Sequence, residues 1–223
     1  STCMGFKEIL EALADGAKQS LSVMAACALV GIIIGVVSLT SFGSVMTSSI
    51  MSIGAGSLFL TLFFTMIASM ILGMGLPSIP AYIITATMAA PALANFDIPT
   101  LVAHMFVFYF GLFANITPPV ALAAFAGAGI AGGDPMRTGF QALKLSLAGF
   151  IVPFLFVYNP AMLMIDTANV AVNAREFAFP AWTTIVSIVF TSVVGILALG
   201  AAVEGYFKVG LNWFWRIFLG AGA

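Results

Sequence analysis

The sequence predicts an all-α polytopic membrane protein, and three observations carry that prediction. Of its 223 residues 62% are hydrophobic and 7% charged, with a mean hydropathy of +1.17; soluble domains carry about 25% charged residues. The charges are also segregated. None falls between Lys18 and Asp97, and further uncharged runs cover residues 98–133, 145–165 and 177–203. A helix needs about 20 apolar residues to cross the hydrocarbon core, and these runs hold about six such lengths. Third, two apolar runs are interrupted by glycine and proline clusters with polar neighbours, which divide them into half-length helices.

Residues 1–20 form the first unit. In GFKEILEALADGAKQS, Phe6, Ile9, Leu10, Leu13 and Ala17 share one face at helical spacing, and Lys7, Glu8, Glu11, Asp15 and Lys18 cover the other. The pattern fits an amphipathic helix on the membrane surface, and equally a connecting helix packed on a neighbouring domain. Residues 21–203 are the transmembrane region. It opens with a helix over 21–40 and a Ser/Thr/Gly-rich link, SFGSVMTSSIMSIGAGS. A hairpin over 58–94 follows, with arms at 58–72 and 81–94 around the break GMGLPSIP. After the polar turn NFDIPT comes a broken helix over 101–131. The charged loop GGDPMRTGFQALK leads to a helix over 145–164, and DTANVAVNAREFAFP leads to the last, over 182–203. Residues 204–223 are an interfacial, aromatic and basic stretch anchored by Trp213 and Trp215. The chain starts at Ser1 without methionine and stops just after that Trp/Phe cluster, which reads as a truncated piece of a longer protein.

Basic residues orient the crossings. With Lys7 and Lys18 in the cytoplasm, alternating crossings put Arg137, Lys144, Lys208 and Arg216 on the same side and only Arg175 outside. Six against one is a positive-inside distribution. The parity holds whether 58–94 makes two crossings or one re-entrant hairpin opening outward, and it puts Asp97 and His104 near the outer face.

The two breaks carry the functional signal. LGMGLPSIP, residues 72–80, sets glycines and prolines together, so helix propensity and amide donors are lost at one place. Its flanking arms of about 15 residues span about 22 Å, short of the roughly 30 Å hydrocarbon core. That suits a hairpin that turns inside the membrane. In GLFANITPPVALAAFAGAG, Pro118 and Pro119 donate no amide, so carbonyls one turn earlier, around Ala114 and Asn115, lose their helical partners. Bare in lipid, each costs several kcal/mol, and such backbone is tolerated only where protein, water or an ion satisfies it. The half-helix before it, about 20 Å long, places the break near mid-membrane. A proline kink patched by nearby hydroxyls explains either break alone. Two in successive segments point to the paired interrupted helices with which secondary transporters build midplane sites. Helix N-termini there favour anions, while freed carbonyls and hydroxyls suit a hard cation such as Na⁺. The expectation is that the two breaks face each other.

LGMGLPSIPAYIITATMAAPAL and AHMFVFYFGLFANITPPVALAAFAGAGIAGGDPMRTG resemble the large permease of tripartite ATP-independent periplasmic (TRAP) transporters, most closely the fused permeases that work with TAXI-type periplasmic binding proteins. The resemblance covers about residues 5–215. It implies the C-terminal half of such a permease: one inverted repeat of an elevator-type transporter, with a re-entrant hairpin and a discontinuous helix. It further implies a bacterial or archaeal cytoplasmic (inner) membrane and an ion-gradient-driven symport, usually with sodium. The cargo would be an organic acid delivered by the binding protein. The implied partners are that protein, the N-terminal half of the permease and the lipid bilayer, with no nucleic acid and no resident cofactor. On this resemblance Gly73, Met74, Gly75, Ser78, Asn115, Thr117 and Pro118 supply the carbonyls and hydroxyls that bind the cation. Pro77, Ser78 and Pro119 border the substrate, which the other repeat also contacts. No carboxylate lies near either motif, so coordination is neutral; this fits Na⁺ better than a proton relay, with H⁺ coupling left open.

Other residues carry weaker signals. His104 reads as an interfacial or hydrogen-bonded histidine, with a proton relay as the rival. Asp166 and Glu204 read as solvated charges at membrane boundaries. The 12 methionines are scattered as core filling, and Cys3 and Cys27 have no metal-ligand spacing. An enzyme is not expected, since a single histidine with no HExxH or GxSxG pattern offers no catalytic constellation. The alternatives to a transporter are a passive channel, because broken helices also line pores, and a structural membrane subunit, which would not need paired breaks.

Overall fold

A computed structural model describes residues 5–165, 180–207, 209–210 and 212–222. The sequence features at Cys3, Asp166, Arg175 and Lys208 lie outside them. The described chain is helical apart from a two-residue antiparallel pairing of Tyr206–Phe207 with Val209–Gly210.

Helix α1, Phe6–Thr40, runs unbroken for 35 residues. No proline interrupts it, so the amphipathic segment and the first apolar helix are one rod with no boundary at residue 20. It ends at Ser41, held at a φ of 56°, where the chain bends by 74° into α2, Phe42–Gly54. The segment expected as a Ser/Thr/Gly link is therefore mostly helix. Two of its hydroxyls close onto the helix itself: Ser48 and Ser49 both donate to the Val45 carbonyl, at 2.9 and 2.8 Å.

The hairpin consists of α3, Leu58–Gly73, and α4, Ser78–Met88, the latter continued by 3₁₀ turns at Ala90–Ala92 and Ala94–Phe96. Helix α5, Thr100–Phe113, passes through a 3₁₀ turn at Ala114–Ile116 toward α6, Leu122–Ala131. Helix α7, Pro135–Ser146, continues through Leu147–Ile151 into α8, Val152–Tyr158, as one 24-residue apolar span. The sequence placed this helix at 145–164. It starts earlier because Asp134 caps it, accepting the Arg137 amide at 2.7 Å, with Pro135 at the first helical position. It ends earlier because Asn159 precedes Pro160. Helix α9, Trp182–Glu204, is a second long span, and α10, Trp213–Gly222, closes the described chain. Among the described residues these two spans can cross a membrane by length and hydropathy, and Met24–Thr40 with Phe42–Gly54 adds a third where the bent pair counts as one span; α3, the α5 segment and α6 are shorter apolar helices.

Helices α3, α4 and α5 pack into one bundle whose centre is Leu62, Val102, Phe106, Val107 and Phe110, all fully buried. The α7–α8 span lays Phe154 on Phe106, with ring centroids 5.4 Å apart, and Phe150 on Phe110, at 5.7 Å. In lipid such contacts hold by close packing rather than by escape from water. At the opposite edge, Lys144 pairs with Glu204 at 3.1 Å, so Glu204 is ion-paired while partly exposed. Arg216 donates to the Ala202 and Val203 carbonyls at 2.7 and 2.9 Å, closing the C-terminal end of α9, where a cation is favoured. Lys144 and Arg216 thus share one end of the bundle, as the charge-based orientation requires. Arg216→Ala should free α10 from α9, read as faster amide exchange from 205 onward with the bundle core unchanged.

Candidate functional site

The hairpin tip follows from its glycines and prolines. Helix α3 ends at Gly73, the Leu76 amide closes the turn onto the Gly73 carbonyl at 3.3 Å, and Gly75 sits at a φ of 73°, where a side chain would be strained. Pro77 then leads into α4, and Pro80 falls in the first turn, where a helix needs no amide donor. Gly73 is buried where the tip meets α5. A β-carbon placed on it would lie 2.5 Å from the Gly111 carbonyl oxygen and 2.8 Å from the Gly111 α-carbon. Gly111 in turn rests beside Thr85 of α4, so three helices meet there almost backbone to backbone.

The second break is held by its own polar residues. The Thr117 hydroxyl donates to the Phe113 carbonyl at 2.8 Å and its amide reaches the Ala114 carbonyl at 3.4 Å. One of the two carbonyls that the prolines deprive is thereby recovered, while Pro119 stands where the helical donor to Asn115 would be. The Pro118–Pro119 bond is cis, Ala121 takes a left-handed conformation, and α6 begins at Leu122.

The two breaks face each other. The Asn115 side-chain amide donates to the Leu76 carbonyl of the hairpin tip at 3.3 Å, and a β-carbon on Gly75 would lie 3.6 Å from Val120. Gly73 and Thr117 are buried in the junction, Met74, Asn115 and Pro118 are half-buried, and Gly75, Pro77, Ser78 and Pro119 are exposed. Pro118 also serves packing elsewhere: its ring would lie 3.3 Å from a β-carbon on Gly139 of α7. The junction therefore brings together the C-terminal ends of α3 and α5 and the segments that lead into α4 and α6.

The sequence profile of the family described as tripartite ATP-independent periplasmic transporter, DctM component, matches residues 1–170. The chain belongs to this family. No curated protein and no solved structure matches it. The matched stretch contains both breaks and every residue of the junction, and it assigns the chain to the membrane permease of a TRAP secondary transporter, which associates with a periplasmic binding protein.

Sequence reasoning missed parts of this TRAP junction. The Leu76 carbonyl carries no signal, because every residue has one. Gly111 was findable, as a lone glycine in the aromatic run FVFYFGLF marks a close backbone approach. The segment expected as a link lines a hollow of about 840 Å³ with Ser41, Ser44 and Thr47, faced by Ser38 of α1, Thr87 and Asn95. His104 is tied to α4: the Tyr82 hydroxyl lies 2.9 Å from its Nδ1.

Proposed function

We propose that this TRAP permease chain holds one repeat's share of a Na⁺-coupled import site for an organic acid, located where the two breaks meet. The observation that carries the proposal is the Asn115–Leu76 hydrogen bond, which joins the hairpin tip to the discontinuous helix. The carbonyl ends of α3 and α5 favour a cation, and the amide ends of α4 and α6 favour a carboxylate. The Asn115 amide and the Thr117 hydroxyl each donate to a protein carbonyl, which leaves their oxygen lone pairs for an ion. With the carbonyls of Gly73, Met74, Gly75 and Pro118 and the Ser78 hydroxyl they make a neutral set of hard donors, suited to Na⁺ more than to a proton. Pro77, Ser78 and Pro119, on the exposed side, border the substrate. A second, inverted repeat completes the site, and the pair moves as an elevator in a bacterial or archaeal inner membrane. A TAXI-type binding protein supplies the acid.

The test is uptake by the full-length permease with its binding protein in proteoliposomes. Uptake should follow an imposed Na⁺ gradient; indifference to both Na⁺ and H⁺ gradients would overturn the reading. Thr117→Ala should weaken the apparent Na⁺ affinity by roughly tenfold, the equivalent of about 1.4 kcal/mol. An unchanged affinity removes Thr117 from the ligand set.

A further inference from the structure

Helix α4 carries Ser78 of the proposed site in its first turn, yet most of what holds α4 is indifferent to register. Gly111 of α5 lies beside Ala81 and Thr85, and the Thr85 hydroxyl closes onto the Ala81 carbonyl of its own helix at 2.9 Å. On another face Ile84 and Met88 pack on Val30 of α1, an apolar contact with no preferred direction. The Asn115 amide holds the Leu76 carbonyl, which precedes the helix and leaves α4 free to turn about its axis. One contact is directional. The Tyr82 hydroxyl and His104 Nδ1 lie 2.9 Å apart, the one hydrogen bond between side chains within the α3–α5 bundle among the described residues. The Tyr82 ring also meets two α5 residues one turn apart. Its centroid is 6.0 Å from that of His104 and 5.4 Å from that of Phe108, the latter edge-on.

Phenylalanine and leucine would fill the same space, so packing alone does not call for this pair. Neutral His104 accepts from the Tyr82 hydroxyl at Nδ1 or donates to its oxygen, according to tautomer, so the bond forms either way. A slip of α4 by one residue turns its face by about 100° and parts the phenol from the imidazole. Each is then an unmet polar group in apolar surroundings, which is costly. A lone polar pair in an apolar helix interface acts in this way to fix register. Ser78 and Tyr82 are four residues apart and share one face of α4. We propose that the Tyr82–His104 pair sets the register of α4 on α5 and so aims Ser78 at the junction of the two breaks. Both are positioning residues for transport, acting through α4 rather than on the cation. The assignment rests on the import-site reading above, which gives Ser78 to cation and substrate.

The experiment compares the purified full-length permease with Tyr82→Phe, His104→Leu, the double variant and His104→Gln, whose amide can both accept and donate. Binding of radiolabelled Na⁺ in a scintillation proximity assay gives the apparent affinity. Amide exchange over residues 78–88 and the melting temperature report the tie itself. Each single variant should weaken Na⁺ binding by roughly twofold to tenfold, the range one neutral hydrogen bond supports. The double variant should be no weaker than the singles, and His104→Gln should stay near wild type. Exchange at 78–82 should quicken in the same variants while α3 stays protected. Unchanged Na⁺ affinity with a lowered melting temperature would make the pair a structural clamp and overturn the proposal. Single effects that add up in the double variant would overturn it as well, since the two side chains would then act separately. A wild-type permease without saturable Na⁺ binding, but with faster exchange in Tyr82→Phe and not in His104→Gln, would sink the Na⁺ reading and leave the register tie standing.

Discussion

Gly73→Ala should abolish uptake, while Gly111→Ala, at the other side of the same contact, should leave most of it. The asymmetry is geometric. A methyl group on Gly73 meets the Gly111 carbonyl at 2.5 Å, and that neighbour is backbone, so no rotamer change relieves the clash. Helices α3 and α5 must separate, at a cost near the upper end of the roughly 1–3 kcal/mol typical of overpacking. Separation also pulls the tip from the discontinuous helix, and the Asn115–Leu76 bond at 3.3 Å has no slack to absorb it. A methyl on Gly111 instead meets Thr85 at 3.5 Å, an ordinary van der Waals distance. Uptake in proteoliposomes and the melting temperature of the detergent-purified permease measure both effects. Wild-type uptake by Gly73→Ala would show that the close approach is unnecessary for function.

Asn115→Leu is the second variant with a large expected effect. It keeps the volume near the break, removes the donor to Leu76 and removes the oxygen assigned to the cation. Losing the hydrogen bond alone is worth about 0.5–1.5 kcal/mol, or roughly twofold to tenfold in affinity. Losing a ligand adds to that, so the apparent Na⁺ affinity should fall by more than about tenfold. Asn115→Gln keeps the amide on a longer arm and should recover part of it. Equal Na⁺ affinities for Asn115→Leu and wild type would detach Asn115 from the ion and leave it a purely structural tie.

Much of this architecture is legible before any coordinates. The uncharged runs mark the apolar helices, and the clusters Gly73-Met74-Gly75 and Pro118-Pro119 mark where they stop. Helix ends were read less well. The two helices expected on either side of residue 20 run on as one, because nothing between Lys18 and Leu21 disfavours a helix. The α7–α8 span starts at Pro135 rather than 145, because Asp134 is a cap as well as a loop residue. The hydroxyls of Thr61, Thr65 and Ser69 recur at four-residue spacing, but hydropathy averaging hides three hydroxyls inside an apolar arm.

What the amino-acid sequence decides by itself is local: which stretches shun water, where proline withholds an amide and where glycine permits a turn. From these follow the membrane setting, the half-length helices and the presence of two breaks. Only the tertiary structure decides that Gly73 lies against Gly111, that Asn115 reaches the Leu76 carbonyl and that Thr65 and Ser69 lack partners among the described residues. Those facts depend on how three helices cross and how closely their backbones approach. The groups that meet there are largely main-chain atoms, identical at every residue, so no side-chain pattern can single them out.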